Sequence, residues 1–200
     1  DANWKQVEAT VHFLNNGHNL LEVIIYLDNV GPNYDFDGVT FQRNYANNTS
    51  FEDGFAYWST FHQQGGCTVN YAVYAGTVPD DSQYLETNRG NCTTQAVSII
   101  QEFATYPSAN DTYSLRVWIR SKEGSAISGS IFLWANGGTY ENPGTLGWSI
   151  GAGDFLWHEY TLTKTFTQGN HTSLKIELYL DTNGPNYDFD GVQLWGGAGG

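Results

Sequence analysis

Gly184-Pro185-Asn186-Tyr187-Asp188-Phe189-Asp190-Gly191-Val192 is written twice in this chain, the first time as Gly31-Pro32-Asn33-Tyr34-Asp35-Phe36-Asp37-Gly38-Val39. The repeat extends well beyond nine residues. Residues 1–41 align without a gap on residues 154–194: Asp1 falls on Asp154, Trp4 on Trp157, Phe13 on Phe166 and His18 on His171. Tyr26-Leu27-Asp28 falls on Tyr179-Leu180-Asp181, immediately before the doubled motif. Such internal similarity has to be read before any local pattern, because it sets where modules begin and end.

Each copy reads as three strands. Leu174, Ile176, Leu178 and Leu180 alternate with Lys175, Glu177 and Tyr179, and Leu21, Val23, Ile25 and Leu27 repeat the apolar half of that pattern. Period two with one apolar side marks a half-buried strand. Val7, Ala9, Val11 and Phe13 outline the strand before it, and Asn15-Asn16-Gly17 and Gln168-Gly169-Asn170 mark the turns between. Between the copies, further strands are expected at 68–74, 96–103, 113–121 and 128–135. Short strands with Gly- and Asn-rich connections argue for an all-β sandwich of antiparallel sheets. Residues 44–195 then form one complete module. Residues 1–41 form the C-terminal third of a preceding repeat, and Gly196 to Gly200 a flexible tail. Three strands cannot bury a core alone, and their edges are open to pairing with a neighbouring module or subunit.

The formal net charge is −13, from 8 basic and 21 acidic residues. Nucleic acid and anionic membrane surfaces are disfavoured as partners, although acidity by itself usually serves only solubility. No run of 18 apolar residues is long enough to span a bilayer. The chain contains no Met, so a processed product or an excised fragment is expected. Cys67 and Cys92 have two readings: one disulfide, stabilising the fold by roughly 3 kcal/mol, or two free buried thiols. Sequons begin at Asn47, Asn48, Asn91, Asn110 and Asn170. Five of them favour an extracellular or cell-surface glycoprotein, with one glycan at most on the overlapping pair Asn47 and Asn48.

Asn48-Thr49-Ser50-Phe51-Glu52-Asp53-Gly54 followed by Trp58, then Tyr113-Ser114-Leu115-Arg116-Val117-Trp118-Ile119-Arg120, then Trp157 to Tyr160 and the Tyr187 to Val192 strand, resemble the carbohydrate-binding modules of the family 4, 9 and 22 type. The resemblance covers the whole second module and implies a jelly-roll β-sandwich that binds a polysaccharide without catalysis. It also implies a structural calcium ion, held by Glu52 and Asp190 with nearby backbone carbonyls. The parity of the last strand agrees. Asp188 and Asp190 share it with Val192 and Leu194, which points the carboxylates inward, where they need a cation or partners. The competing reading is a set of turn hydrogen bonds after Gly-Pro-Asn.

Sugar rings present apolar C–H faces to flat aromatic side chains, and planar polar groups fix their hydroxyls. Trp118, Arg116 and Arg120 lie opposite the core stripe of their strand. Trp134 shares a face with Phe132 on the next, and Tyr84, Gln95 and Tyr140 are candidates for the same cleft. Packing against a second sheet is the alternative for each. Catalytic residues are not expected: the five histidines are scattered, no nucleophile elbow or zinc motif occurs, and Glu52 and Asp53, as strand neighbours, point apart. Two functional readings result. One is non-catalytic glycan binding. The other is a structural subunit of an extracellular filament or array, assembled head to tail by β-strand complementation through residues 1–41.

Overall fold

The computed structural model describes residue 25 and residues 44–62, 66–93 and 96–197. The chain divides into two units, Asp1–Thr40 and Phe41–Gly200, and all ten described strands lie in the second. They are β1 (Ser59–His62), β2 (Asn70–Ala75), β3 (Gln83–Asn88), β4 (Val97–Phe103), β5 (Thr112–Arg120), β6 (Ile127–Asn136), β7 (Gly144–Ile150), β8 (His158–Thr165), β9 (Ser173–Leu180) and β10 (Tyr187–Gly197). Two five-stranded sheets result, one ordered β1-β4-β9-β6-β7 and the other β2-β3-β10-β5-β8. Every pairing is antiparallel. The expected strands at 68–74, 96–103, 113–121 and 128–135 correspond to β2, β4, β5 and β6. No helix among the described residues is long and apolar enough to cross a membrane.

Alternation builds the core between the sheets. Tyr113, Leu115, Val117 and Ile119 of β5 point inward, as do Ile127, Ile131 and Leu133 of β6 and the apolar residues of β9. Each such side chain contributes about 1.5–3 kcal/mol by leaving water. Cys67 and Cys92 form a disulfide and are buried, which settles the two readings of that pair. It ties the segment between β1 and β2 to the segment between β3 and β4.

The last strand departs from simple alternation. Tyr187 and Phe189 face the core, where both meet Trp148 of the opposite sheet, at ring-centroid distances of 5.8 and 6.4 Å. The register of β10 on β5 then shifts between Asp190 and Gln193. Gly191 supplies the extra residue with φ +54°, as a bulge containing a left-handed glycine requires. Beyond it Val192 and Leu194 point inward and Gln193 outward, toward Arg116. The inward reading of Asp188 and Asp190 is therefore corrected. One inserted residue reverses the parity that links them to Val192 and Leu194, and both aspartates lie on the outer face of their sheet. They are nonetheless fully buried, because the segment from Gly76 to Ser82 and the Trp157 ring close over that face.

Candidate functional site

The expected cleft residues do not come together. Trp118, Arg116 and Arg120 on β5 and Tyr84 on β3 lie on the outer face of the β2-β3-β10-β5-β8 sheet. Trp134 on β6 lies on the outer face of the other sheet. Strands β5 and β6 are consecutive, but the chain crosses between sheets from one to the next, so Trp118 and Trp134 point to opposite sides of the sandwich. Tyr140 is 77% exposed in the connection from β6 to β7, and Gln95 lies outside the described residues.

The face carrying Trp118 is occupied by the protein's own groups. Arg120 donates two hydrogen bonds to Asp188 Oδ2, at 3.0 and 2.8 Å. Its guanidinium lies over the Trp157 and Tyr84 rings, 4.4 and 5.1 Å from their centroids. Lys122 donates to the Tyr84 hydroxyl and approaches the Tyr74 ring and Glu86. The Trp157 indole donates to the carbonyl of Thr77. Burial pushes the Asp188 carboxyl up to about 6 even though Arg120 acts to lower it. Tyr84 is only 3% exposed. Its ring and its neighbours serve the covering segment.

The β1-β4-β9-β6-β7 sheet presents a different outer face. Phe132 and Trp134 stack with centroids 5.8 Å apart, and Tyr179 of β9 meets Phe132 edge-on at 6.2 Å. The register puts Phe61 of β1 beside Ser98, and Ser98 beside Tyr179; Phe61 is 39% exposed. Glu177 sits among these rings. The Trp134 indole donates to its Oε2 at 2.8 Å and the Ser98 hydroxyl to its Oε1 at 2.8 Å. The Lys175 ammonium lies 5.0 Å from the Trp134 centroid and 3.5 Å from Glu177. At one end Glu102 accepts from Ser173 and Asn136, and these bonds hold its carboxyl below the usual range. The arrangement is a row of half-buried rings with polar groups fixed between them. Phe61, Tyr179, Glu177 and Lys175 were not singled out from the sequence. The signal was the polar half of the β9 alternation, which reads equally as a solvent face.

Around Asp190 the acidic groups converge. Its Oδ2 accepts from the backbone N–H of Asp80 at 2.8 Å, while its buried Oδ1 has no hydrogen-bond partner in the protein. Burial, with the Asp80 and Glu52 carboxylates adding to it, pushes this carboxyl up to about 7. An orphaned oxygen in a negative setting fits a cation. Glu52 fits less well, because donors already saturate its carboxylate: the N–H groups of Ser82 and Gln83, the Ser82 hydroxyl and the Gln83 amide, at 2.8 to 3.1 Å. Burial raises its pKa, and the four donors outweigh that and leave it lowered. Among the described residues, the one trio of His, Cys, Asp or Glu ligand atoms within 4.8 Å of each other is His62, Cys67 and Cys92. The disulfide removes both of those sulfurs from metal chemistry.

The sequons differ in access. Asn47, Asn91, Asn110 and Asn170 are exposed. Asn48 is 3% exposed; its amide donates to the carbonyls of Gly54 and Ala56 and its Oδ1 accepts from Asp53 N–H. The expected acceptor at Asn48 is corrected accordingly: this side chain is the internal tie of the 48–56 turn.

No family model and no curated protein matches the chain. Solved structures do. An enzymatically active tailspike domain of bacteriophage CBA120 is 16% identical with a TM-score of 0.56, over 76% of this chain but only 21% of that one. The family 22 xylan-binding domain from Paenibacillus barcinonensis is 18% identical with a TM-score of 0.56, over 76% of this chain and 94% of that one. A cyclase from Fischerella is 15% identical with a TM-score of 0.60, over 78% of this chain and 98% of that one. Carbohydrate-binding modules of families 4 and 61 also match. At these identities the likeness establishes the fold, which is the jelly-roll β-sandwich of the family 4 and 22 carbohydrate-binding modules.

Proposed function

We propose that the second unit is a non-catalytic, extracellular carbohydrate-binding module that holds a neutral polysaccharide chain on the outer face of its β1-β4-β9-β6-β7 sheet. The observation that carries this reading is the row Phe61, Tyr179, Phe132 and Trp134, with Glu177 locked between Trp134 and Ser98. Rings bury sugar C–H faces; fixed carboxylate and amide groups select hydroxyls. Glu102, Glu177 and the net charge of −13 disfavour acidic glycans. Among the structural neighbours, one is named a xylan-binding domain and another is in complex with β-1,4-galactotriose. Both support a polymer of neutral pyranoses or pentoses here. The disulfide and the four exposed sequons support an extracellular setting. Affinity electrophoresis through soluble xylan, galactan and β-glucan tests the reading. Trp134→Ala is expected to cost roughly 2 kcal/mol, about thirtyfold in affinity, against whichever polymer retards the wild type. Retardation of none of the three, or an unchanged shift for the variant, would refute it.

The same reading includes a structural calcium ion at Asp190 Oδ1, with carbonyl oxygens completing its shell and Glu52 supplying charge rather than free lone pairs. A second functional reading is head-to-tail assembly into an extracellular filament through residues 1–41, whose sequence repeats that of residues 154–194. Electron microscopy of native material separates filament from monomer.

A further inference from the structure

Strands β1 and β7 edge one sheet, and β2 and β8 edge the other. An edge strand offers unpaired N–H and C=O groups to any chain that lies beside it, and proteins blunt such edges with charge, proline, bulges or brevity. Strand β1 has four residues. Strand β8 carries Glu159 and Lys164. Strand β7 is interrupted by Gly147 and tied to β8, whose Tyr160 hydroxyl donates to the Ser149 carbonyl at 3.3 Å. Strand β2 has none of these devices. Asn70-Tyr71-Ala72-Val73-Tyr74-Ala75 holds no charge, proline or glycine, and pairs with β3 without a bulge. In a chain of net charge −13, it is a place where two copies can approach without repulsion.

The hydrogen bonds of β2 show which of its groups face away from β3. Gly76 N–H donates to the carbonyl of Ser82 at 3.0 Å. The carbonyl of Asn70 accepts from the Thr87 hydroxyl, and that of Thr68 from Asn91 N–H. Even-numbered residues therefore turn their backbone groups toward β3. Alternation in an antiparallel ladder leaves those of Tyr71, Val73 and Ala75 pointing out of the sheet edge. Among the described residues no strand pairs with them on that side.

This edge is self-complementary. A twofold axis normal to the sheet and passing beside Val73 lays an antiparallel second copy against it, with the two outer faces on the same side. Val73 then faces Val73 of the second copy, and Tyr71 faces its Ala75. Each of these pairs exchanges both main-chain bonds. Tyr74 faces Ala72 of the second copy, so on both faces a tyrosine lies across an alanine and fills the space it leaves. Moving the axis by one residue would centre it on Ala72 or Tyr74, whose groups are already committed to β3. The rings are held for this role. Tyr71 is 50% exposed and stacks on Phe55 at 3.9 Å. Tyr74 is 44% exposed, with the Lys122 ammonium 5.1 Å from its centroid.

We infer that β2 is a homodimerisation edge: two copies join β2 to β2, with Val73 at the twofold axis, and their β2-β3-β10-β5-β8 sheets merge into one. The contact is isologous and closes on itself, unlike a head-to-tail filament. The same axis turns both β1-β4-β9-β6-β7 outer faces to one side. The dimer therefore presents two polysaccharide faces side by side, which raises avidity; that consequence rests on the function proposed above, whereas the dimer does not.

Sedimentation and residue-resolved amide exchange of the full chain, up to about 1 mM, test the pairing. A dimer is expected, with exchange at Tyr71, Val73 and Ala75 slowing several-fold as concentration rises. Ala72 and Tyr74 should be protected throughout. A chain that stays monomeric, or that associates without slowing those three amides, overturns the inference. Protection of the three in dilute monomer overturns it too, because the edge would then be covered from within the chain. Ala75→Pro removes an outward N–H, which an edge strand tolerates. It is expected to weaken the dimer about tenfold and to leave the melting temperature of the monomer unchanged; a folded variant that dimerises undiminished overturns the inference. Register has its own readout. Ala72→Cys and Tyr74→Cys chains are expected to form disulfide-linked dimers when mixed and far fewer when oxidised separately. Equal yields in the three samples overturn the Val73 axis and the inference with it.

Discussion

Trp118 and Trp134 are both half-buried indoles on outer faces, yet their surroundings differ. A virtual Cβ on Gly191 lies 3.0 Å from the Trp118 ring and 3.4 Å from Asp80, so Trp118 packs under the covering segment. Trp134 stacks on Phe132 and holds Glu177. Trp118→Ala is expected to lower stability by about 2 kcal/mol through lost packing and to leave polysaccharide affinity unchanged, the reverse of Trp134→Ala. Urea denaturation beside affinity electrophoresis compares the two, and loss of binding in the Trp118 variant would return that residue to the site. Asp190 carries the second residue-scale prediction. Its orphaned Oδ1 implies that millimolar calcium raises the melting temperature, that a chelator reverses this, and that Asp190→Asn removes the response. A melting temperature indifferent to chelator dismisses the ion.

Two short devices decide how the elements hold together. The first is the bulge in β10. Gly191 sits at φ +54° with Trp118 pressed against the place a Cβ would take. Gly191→Ala adds a left-handed penalty of about 1–2 kcal/mol and a contact with the ring. The expected result is a lower urea midpoint and a calcium response weakened in parallel, because Asp190 is the neighbouring residue. The second device is Glu141, in the connection from β6 to β7. It accepts from the N–H groups of Thr167 and Gln168 and from the Thr167 hydroxyl in the connection from β8 to β9. Lys164 lies 3.1 Å away. Burial raises its pKa, but these donors and Lys164 outweigh it and bring the carboxyl down to about 2 from 4.5. The folded state therefore binds this proton more weakly than the unfolded chain. Its contribution is complete above pH 4.5 and is lost as pH falls toward 2. Glu141→Gln should flatten that part of a stability-against-pH curve, and an unchanged slope would show that the clasp contributes nothing.

At the scale of the molecule, the repeat, the all-β class and the sandwich were legible in the sequence. Alternation is set by burial on one side, and β5 and β9 display it without interruption. The site was legible only in pieces. Phe132 and Trp134 were paired correctly on one face, but joining them to Trp118 ignored that consecutive strands of a jelly roll change sheets. That crossing leaves no mark in local periodicity. Strand β3 was missed because Gln83–Asn88 reads as polar around a single aliphatic residue, Leu85, which faces the core, while Tyr84 is buried on the other side by the covering segment. The glycines of β7 hid that strand. Asp190 was assigned to the wrong side because one glycine reverses parity, and a glycine inside a strand is the signal that gives warning of it. The disulfide belongs to this scale too, since it closes a 25-residue separation between links that serve opposite sheets. Strand β1 edges one sheet and β2 the other, and neither is long. Reducing the Cys67–Cys92 bond restores freedom to the unfolded chain worth roughly 3 kcal/mol. For a domain of this size that is a fall in melting temperature of about 6–12 °C. The proposed polysaccharide face is centred on Tyr179, Phe132 and Trp134 of β9 and β6, inside the sheet, with only Phe61 on the β1 edge, so affinity below the new transition should change by less than in Trp134→Ala. Calorimetry with and without a phosphine reductant, paired with electrophoresis in the retarding polymer, measures both. A reduced protein that melts at the oxidised temperature would show the bond to be dispensable, and one that melts lower and loses as much affinity as Trp134→Ala would show that the whole face depends on the β1 edge.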